Sequence, residues 1–192
     1  MTVAPTVPTA FGDHLQLVVE ETSRLLDGVE PGDWEDAGRR LRGARSVFAI
    51  GSGRSGLAIR MAAMRLMHLG LRVHVAGEAT APAIGAGDVL VAVSGAGTTS
   101  AVVNAAETAR KVGASVIAVT TAAESPLARE ADGVLLLAGA DKQDHSGSVS
   151  RQYAGSLFEQ AVLLAFDALF EALRSSDGQT PHELWERHAN LG

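Results

Sequence analysis

Short apolar runs that end in glycine or serine, each followed by a helix-forming stretch, fill the middle of this chain and leave few folds open to it. "SVFAI" (46–50) stops at Gly51 and leads into "LAIRMAAMRLMHL" (57–69), which Gly70 closes as a C-cap. "RVHVA" (72–76) and "DVLVAV" (88–93) are the second and third runs. The helical "TSAVVNAAETARKV" (99–112) comes next and is ended by Gly113. "SVIAVT" (115–120), a short helix "SPLAREA" (125–131) with Ser125 at its cap and Pro126 at its first position, and "GVLLLA" (133–138) complete the alternation. Continuously apolar strands alternating with helices predict a five-stranded parallel sheet covered on both faces. Right-handed crossovers make it a doubly wound α/β sandwich.

The flanks read as helical. Leu15, Val18, Val19, Thr22 and Leu26 recur at helical spacing over 11–26. A second helix is expected from Asp33, as N-cap, to about Arg42. "RQYAGSLFEQAVLLAFDALFEALR" (151–174) is apolar almost all round, which predicts burial of most of its surface. "PHELWERH" (181–188) is a last short helix with Pro181 at its first position. Residues 1–10, with their Pro and Thr, read as a flexible lead-in, 141–150 as a polar loop, and 11–192 as a single domain.

Charge and composition exclude several functions. A formal net charge of -6 suits neither DNA nor RNA binding. No apolar run reaches the length of about 18 residues that spans a bilayer, and no basic segment precedes an apolar one as in a secretory signal. Cysteine is absent, which excludes disulfides, thiolate metal sites and a cysteine nucleophile, and fits a cytoplasmic protein. His14, His74, His145 and His182 share no metal-ligand spacing, so no metal is expected.

Ligands of doubly wound sheets sit beyond the carboxyl ends of the strands, and two Ser/Gly loops fall there. "GSGRSG" (51–56) is a literal G-x-G-x-x-G, the dinucleotide fingerprint, which is weak on its own. "SGAGTTS" (94–100) offers Ser94, Gly95, Thr98, Thr99 and Ser100 at a helix N-terminus, where the dipole adds about half a positive charge. That is a cradle for one phosphate. A dinucleotide has no use for the second loop, although Glu78 lies near the end of the second strand as such a site needs. A sugar phosphate accounts for both loops.

The motifs carry a resemblance. "GSGRSG", "AMRLMHLG" (63–70), "GEATAPAI" (77–84), "DVLVAVSGAGTTS" (88–100), "GSLFEQ" (155–160) and "ERHANL" (186–191) resemble the SIS (sugar isomerase) domain family and, within it, the 6-phospho-3-hexuloisomerases. The resemblance implies a flavodoxin-like sandwich and interconversion of 3-hexulose 6-phosphate with fructose 6-phosphate through a cis-enediol. It implies no cofactor, a homo-oligomer that is most simply a tetramer, and a place in the formaldehyde-fixing ribulose monophosphate pathway. Two departures stand out. Ala96 replaces the second serine of the family's Ser-Gly-Ser-Gly, with Thr98 as a substitute donor. Gln152-Tyr153-Ala154 stands where the family has Gln-Pro-Met. Two alternatives remain: a non-catalytic sugar-phosphate sensor, or a related isomerase for arabinose 5-phosphate or sedoheptulose 7-phosphate.

An enediol reaction needs a base. Glu159 stands in an otherwise apolar helix with Gly155 one turn before it, a surround that desolvates a carboxylate and makes it a better base. Through the resemblance, His188 is the second catalytic candidate, moving protons between the two oxygens or helping to open the fructose ring, in its own site or a neighbour's. Ser52, Gly53, Arg54, Ser55, Ser94, Gly95, Thr98 and Thr99 are the substrate- and phosphate-binding candidates, and Glu78 a partner for sugar hydroxyls. Arg54 faces the phosphate or a carboxylate neighbour, or has only a surface role. His68 reads as structural or interfacial, and Met61, Met64 and Met67 as a packed helix face or a subunit contact.

Overall fold

A computed structural model describes residues 10–139 and 149–191. The chain enters through two helices, α1 (Phe11–Asp27) and α2 (Pro31–Gly43). Strands β1 (Val47–Gly51), β2 (Val73–Val75), β3 (Val89–Val93), β4 (Ser115–Thr120) and β5 (Gly133–Leu136) then alternate with helices. Those helices are α3 (Gly53–His68) between β1 and β2, α4 (Ser100–Lys111) between β3 and β4, and α5 (Pro126–Arg129) between β4 and β5. The long α6 (Ser156–Ser176) and the short α7 (Pro181–Trp185) end the order.

All strand pairs are parallel, in the order β2-β1-β3-β4-β5. This is the doubly wound, flavodoxin-like arrangement, with its reversal of direction between β1 and β3. Successive strand residues face opposite layers. Val47, Ala49, Val91, Val93, Ile117 and Val119 pack against α2, α3 and α6. Phe48, Leu90, Ala92, Val116 and Ala118 pack against α4 and α5. Few large side chains are needed because α3 presents Ala58, Ala62 and Ala63 inward, which lets it lie close to the sheet and α6. Each fully buried Leu, Val or Phe stabilises the fold by about 1.5–3 kcal/mol relative to exposure.

Element boundaries mostly obey the local signals. Gly70 (φ 90°) and Gly113 (φ 79°) sit just past α3 and α4. Ser125 Oγ caps α5 by accepting from the Ala128 N–H at 3.2 Å, and Thr180 with Glu183 forms a capping box on α7. Three expectations are corrected. α2 starts at Pro31 with Glu30 as its N-cap, so Asp33 lies inside the first turn: proline's fixed φ starts the helix earlier. α3 starts at Gly53, so the first glycine loop is itself a helix start. α6 starts at Ser156, not 151, because Ala154 takes φ 51° and Gly155 is non-helical.

The burial expected of α6 is also narrower than its composition suggests. Its inner face is buried, while Leu164 is 45% exposed. Met61 and Met64 face outward, so the packed-face reading fails for them. Among the described residues no helix is long and apolar enough to cross a membrane. The lead-in, His145 and most of the loop 141–150 lie outside the described residues.

Candidate active site

Three helix N-termini, those of α3, α4 and α6, meet at the carboxyl rim of the sheet. The first loop turns β1 directly into α3. A methyl group on Gly56 would lie 2.7 Å from the Gly51 carbonyl oxygen, so both glycines permit the strand end and helix start to touch. Ser52 is the N-cap yet makes no side-chain cap bond, and neither does Thr99 at the start of α4. Thr180 at the start of α7 does cap its helix, and so does Ser125, which follows β4 beside the second loop. The α3 and α4 termini thus keep N–H groups and dipole for a ligand anion. Ser55 is buried and, among the described residues, its hydroxyl has no hydrogen-bond partner, a cost of about 1–3 kcal/mol.

The second loop is anchored from below. The Gly95 carbonyl accepts from Thr121 N–H, Thr120 Oγ1 and Thr121 Oγ1, each at 2.9 Å. Gly97 (φ 64°) leaves no room for a side chain: a methyl there would sit 2.1 Å from Ser125 Oγ. Ser94, buried at the end of β3, shares a 2.9 Å hydrogen bond with Thr99. The two hydroxyls are therefore held as a pair. Thr98 and Ser100 are exposed, and Ala96 is half-buried. Gly95 lies against the Phe158 ring, and Phe158 precedes Glu159. One apolar contact thus ties the loop to the helix that carries the candidate base.

Glu159 is 7% exposed in the first turn of α6. Its surround is not purely apolar, as the sequence suggested. Arg54 Nε donates to Glu159 Oε2 at 2.5 Å, across 105 residues of chain. The guanidinium side is open, with the Arg54 side chain 63% exposed. A buried carboxylate is thereby joined to a solvent-facing cation within reach of the first loop.

Glu78 lies just after β2 but is exposed and paired with Arg60, nearly two turns further along α3. His188 is not near this carboxylate within one chain. It stacks on His68 at the far end of α3 (ring centroids 5.2 Å apart) and on Trp185 (4.8 Å). The length of α3 puts that end roughly 21 Å from Arg54. Arg187 adds a 3.0 Å bond to the His68 carbonyl. His68 is buried, and burial first, then the charges of His188 and Arg65, push its pKa down. The structural reading of His68 fits this packing. Among the described residues no three His, Cys, Asp or Glu side chains gather as a metal site.

Sequence reasoning missed Glu21, a carboxylate 6% exposed on α1, and placed its neighbour Thr22, 5% exposed, only in an apolar stripe. The signal was present: Glu21 stands three residues after Val18 and four before Leu25, on the inward face.

A SIS domain family model matches residues 40–165. A 3-hexulose-6-phosphate isomerase of Mycobacterium gastri is 50% identical over 179 residues, 93% of this chain and 90% of the relative. One of Bacillus subtilis is 36% identical over 149 residues, 77% of this chain and 80% of the relative. A Methanococcus jannaschii protein, whose crystal structure infers a molecular function of 3-hexulose-6-phosphate isomerase, superposes with a TM-score of 0.81 at 26% identity, covering 94% of this chain and 99% of that one. A fold with three uncapped or loosely capped helix starts on one rim, a family model that matches well over half of the chain and relatives aligned nearly end to end lead to one assignment: this chain belongs to the SIS domain family.

Proposed function

We propose that this protein interconverts 3-hexulose 6-phosphate and fructose 6-phosphate. The observation that carries the reading is the Glu159 carboxylate, buried where three helix N-termini meet and bonded to Arg54. The 50% identical relative bears the name of that activity. The phosphate lies at the second loop, on the Ser94–Thr99 hydroxyl pair and the α4 N–H groups. Ser55 and Ser52 meet the substrate from the first loop. This binding, remote from the reacting carbons, orients the sugar.

Starting from 3-hexulose 6-phosphate, Glu159 takes the proton from carbon 2. The electrons of that C–H bond form the carbon 2–carbon 3 double bond, and the carbon 3 carbonyl oxygen gains the charge. Arg54 stands beside the base, where a cation stabilises that developing oxyanion. A proton moves between the two oxygens. Glu159 then returns its proton to carbon 3 as the carbonyl forms at carbon 2. General-base catalysis of this kind contributes roughly 10²–10⁴-fold.

The same proposal includes a homotetramer in which His188 reaches a neighbouring subunit's site and moves the oxygen-bound proton. It also places the reaction in cytoplasmic formaldehyde fixation through the ribulose monophosphate pathway. The test is a coupled assay. With ribulose 5-phosphate, formaldehyde and a 3-hexulose-6-phosphate synthase, the protein produces fructose 6-phosphate. Binding of the sugar phosphate without turnover would make it a sensor, and turnover of arabinose 5-phosphate or sedoheptulose 7-phosphate alone would change the substrate.

A further inference from the structure

Glu21 is a buried charge on a helix that contributes nothing directly to the loops of the site. Its carboxylate takes three donors from one short segment. Ser150 Oγ donates to Oε2 at 2.6 Å, the Arg151 N–H to Oε1 at 2.9 Å and Gln152 Nε2 to Oε2 at 3.1 Å. Ser150 Oγ also accepts from the Gln152 N–H at 3.0 Å, so hydroxyl and carboxylate hold the segment together. Burial alone would push the Glu21 carboxyl up, but the Arg151 N–H, Ser150, Gln152 and the nearby charge of Arg24 hold it below its ordinary value. The group is therefore an acceptor-only anion, the one state that satisfies all three donors.

What the carboxylate holds is the entry to α6. After Gln152 the chain passes Tyr153 and Ala154, whose φ of 51° is rare for a residue with a side chain. Strain of that kind persists where the surroundings over-determine the backbone. Gly155 and the α6 start come next, and Glu159 is the fourth residue of the helix. The next residue of α1 grips the other side: Thr22 Oγ1, which bonds the Val18 carbonyl at 2.7 Å, meets Gln160 Oε1 at 3.1 Å. Consecutive α1 residues thus fix the chain before and after the candidate base.

We infer that Glu21 is a positioning residue for proton transfer, its carboxylate clamping residues 150–152 so that the first turn of α6 presents Glu159 to Arg54 and the substrate. The inference rests on Glu159 being the base. It also explains why a helix otherwise outside the site carries a buried charge there. A displacement of about 1 Å at a reacting group costs on the order of 10²-fold in rate.

The experiment compares Glu21→Gln, Ser150→Ala and Thr22→Val with the parent, alone and combined with Glu159→Gln. Glu21→Gln presents an amide N–H to one of three donors, whereas the other two variants are small and keep the fold if Glu21→Gln does not. The expected result for each is a kcat lower by roughly 10-fold or more with KM nearly unchanged. Hydrogen exchange should accelerate in 150–160 and stay unchanged in the sheet. On a Glu159→Gln background none should lower kcat further, because the clamp acts through that residue. A full kcat for Ser150→Ala and Thr22→Val, or a further loss on the Glu159→Gln background, overturns the inference. If Glu159→Gln itself keeps normal turnover, the base assignment fails first, and the positioning role falls with it.

Discussion

In the proposed reaction Glu159 and Arg54 divide the chemistry between a buried acceptor and an exposed cation, and that division can be tested at the residue itself. Replacing Glu159 by Gln keeps size and leaves the apolar packing of Phe158 and Val162 untouched. The variant should fold with a melting temperature near the parent's. Its kcat should fall by roughly 10²–10⁴-fold. Its affinity for fructose 6-phosphate, measured by calorimetry, should hold, since the Ser94–Thr99 pair is undisturbed. A variant with normal turnover would move the proton transfer to another group.

At the scale of elements, the second loop and the α3–α7 contact each make a separate claim. If the proposed phosphate site is right, Ser94→Ala and Thr99→Val each remove a hydroxyl that bonds the phosphate, worth about 1.5–3 kcal/mol, and KM should rise accordingly. Because the two hydroxyls bond each other, the double variant should cost less than the sum of the singles. A KM within twofold of the parent's for both singles would place the phosphate elsewhere. The α7 contact carries a pH dependence. The folded pKa of His68 is depressed below its ordinary 6.5, chiefly by burial. The folded state favours the neutral ring, so its contribution is complete above about pH 6.5 and is lost as pH falls toward the depressed value. The melting temperature of the parent should drop between about pH 8 and pH 5.5 by more than that of His68→Gln. Equal slopes for the two proteins would show that His68 does not titrate with folding.

For the whole molecule, the unsatisfied apolar surface argues for assembly. Phe11 (71% exposed), Leu15 (52%) and Val19 (59%) run along α1, and Leu164 (45%) lies on α6. Leu57, Met61 and Met64 form a second outward stripe on α3, beginning one turn after Arg54. Two such faces suit a dimer of dimers, and sedimentation should give a tetramer. Leu15→Glu with Val19→Glu should reduce it to a smaller species. His188 stacks on the end of its own α3 that lies roughly 21 Å from Arg54, so it serves a neighbour's site or none. Mixing inactive Glu159→Gln and His188→Asn subunits under exchange conditions should restore part of the activity. No recovery on mixing, or a parent that stays monomeric at micromolar concentration, would remove His188 from the mechanism.

The sequence alone determined whatever depends on near neighbours along the chain. Apolar runs ended by Gly51 and Ser94 announced the strands, Gly70 and Gly113 the helix ends, and Pro126 and Pro181 the helix starts. Those signals are periodicity, φ preference and capping, all settled within a turn or two of chain, and together they imply the sheet and its ligand rim. Tertiary structure decided what depends on distant segments. Arg54 meets Glu159 across 105 residues, and Glu21 meets Ser150 across 129. No local pattern encodes such pairings, because they arise from how α1, α3 and α6 settle on one face of the sheet. The late start of α6 belongs to the same class. Residues 151–154 contain no proline or glycine to forbid a helix, but Glu21 draws their polar groups away from a helical ladder and the backbone yields at Ala154.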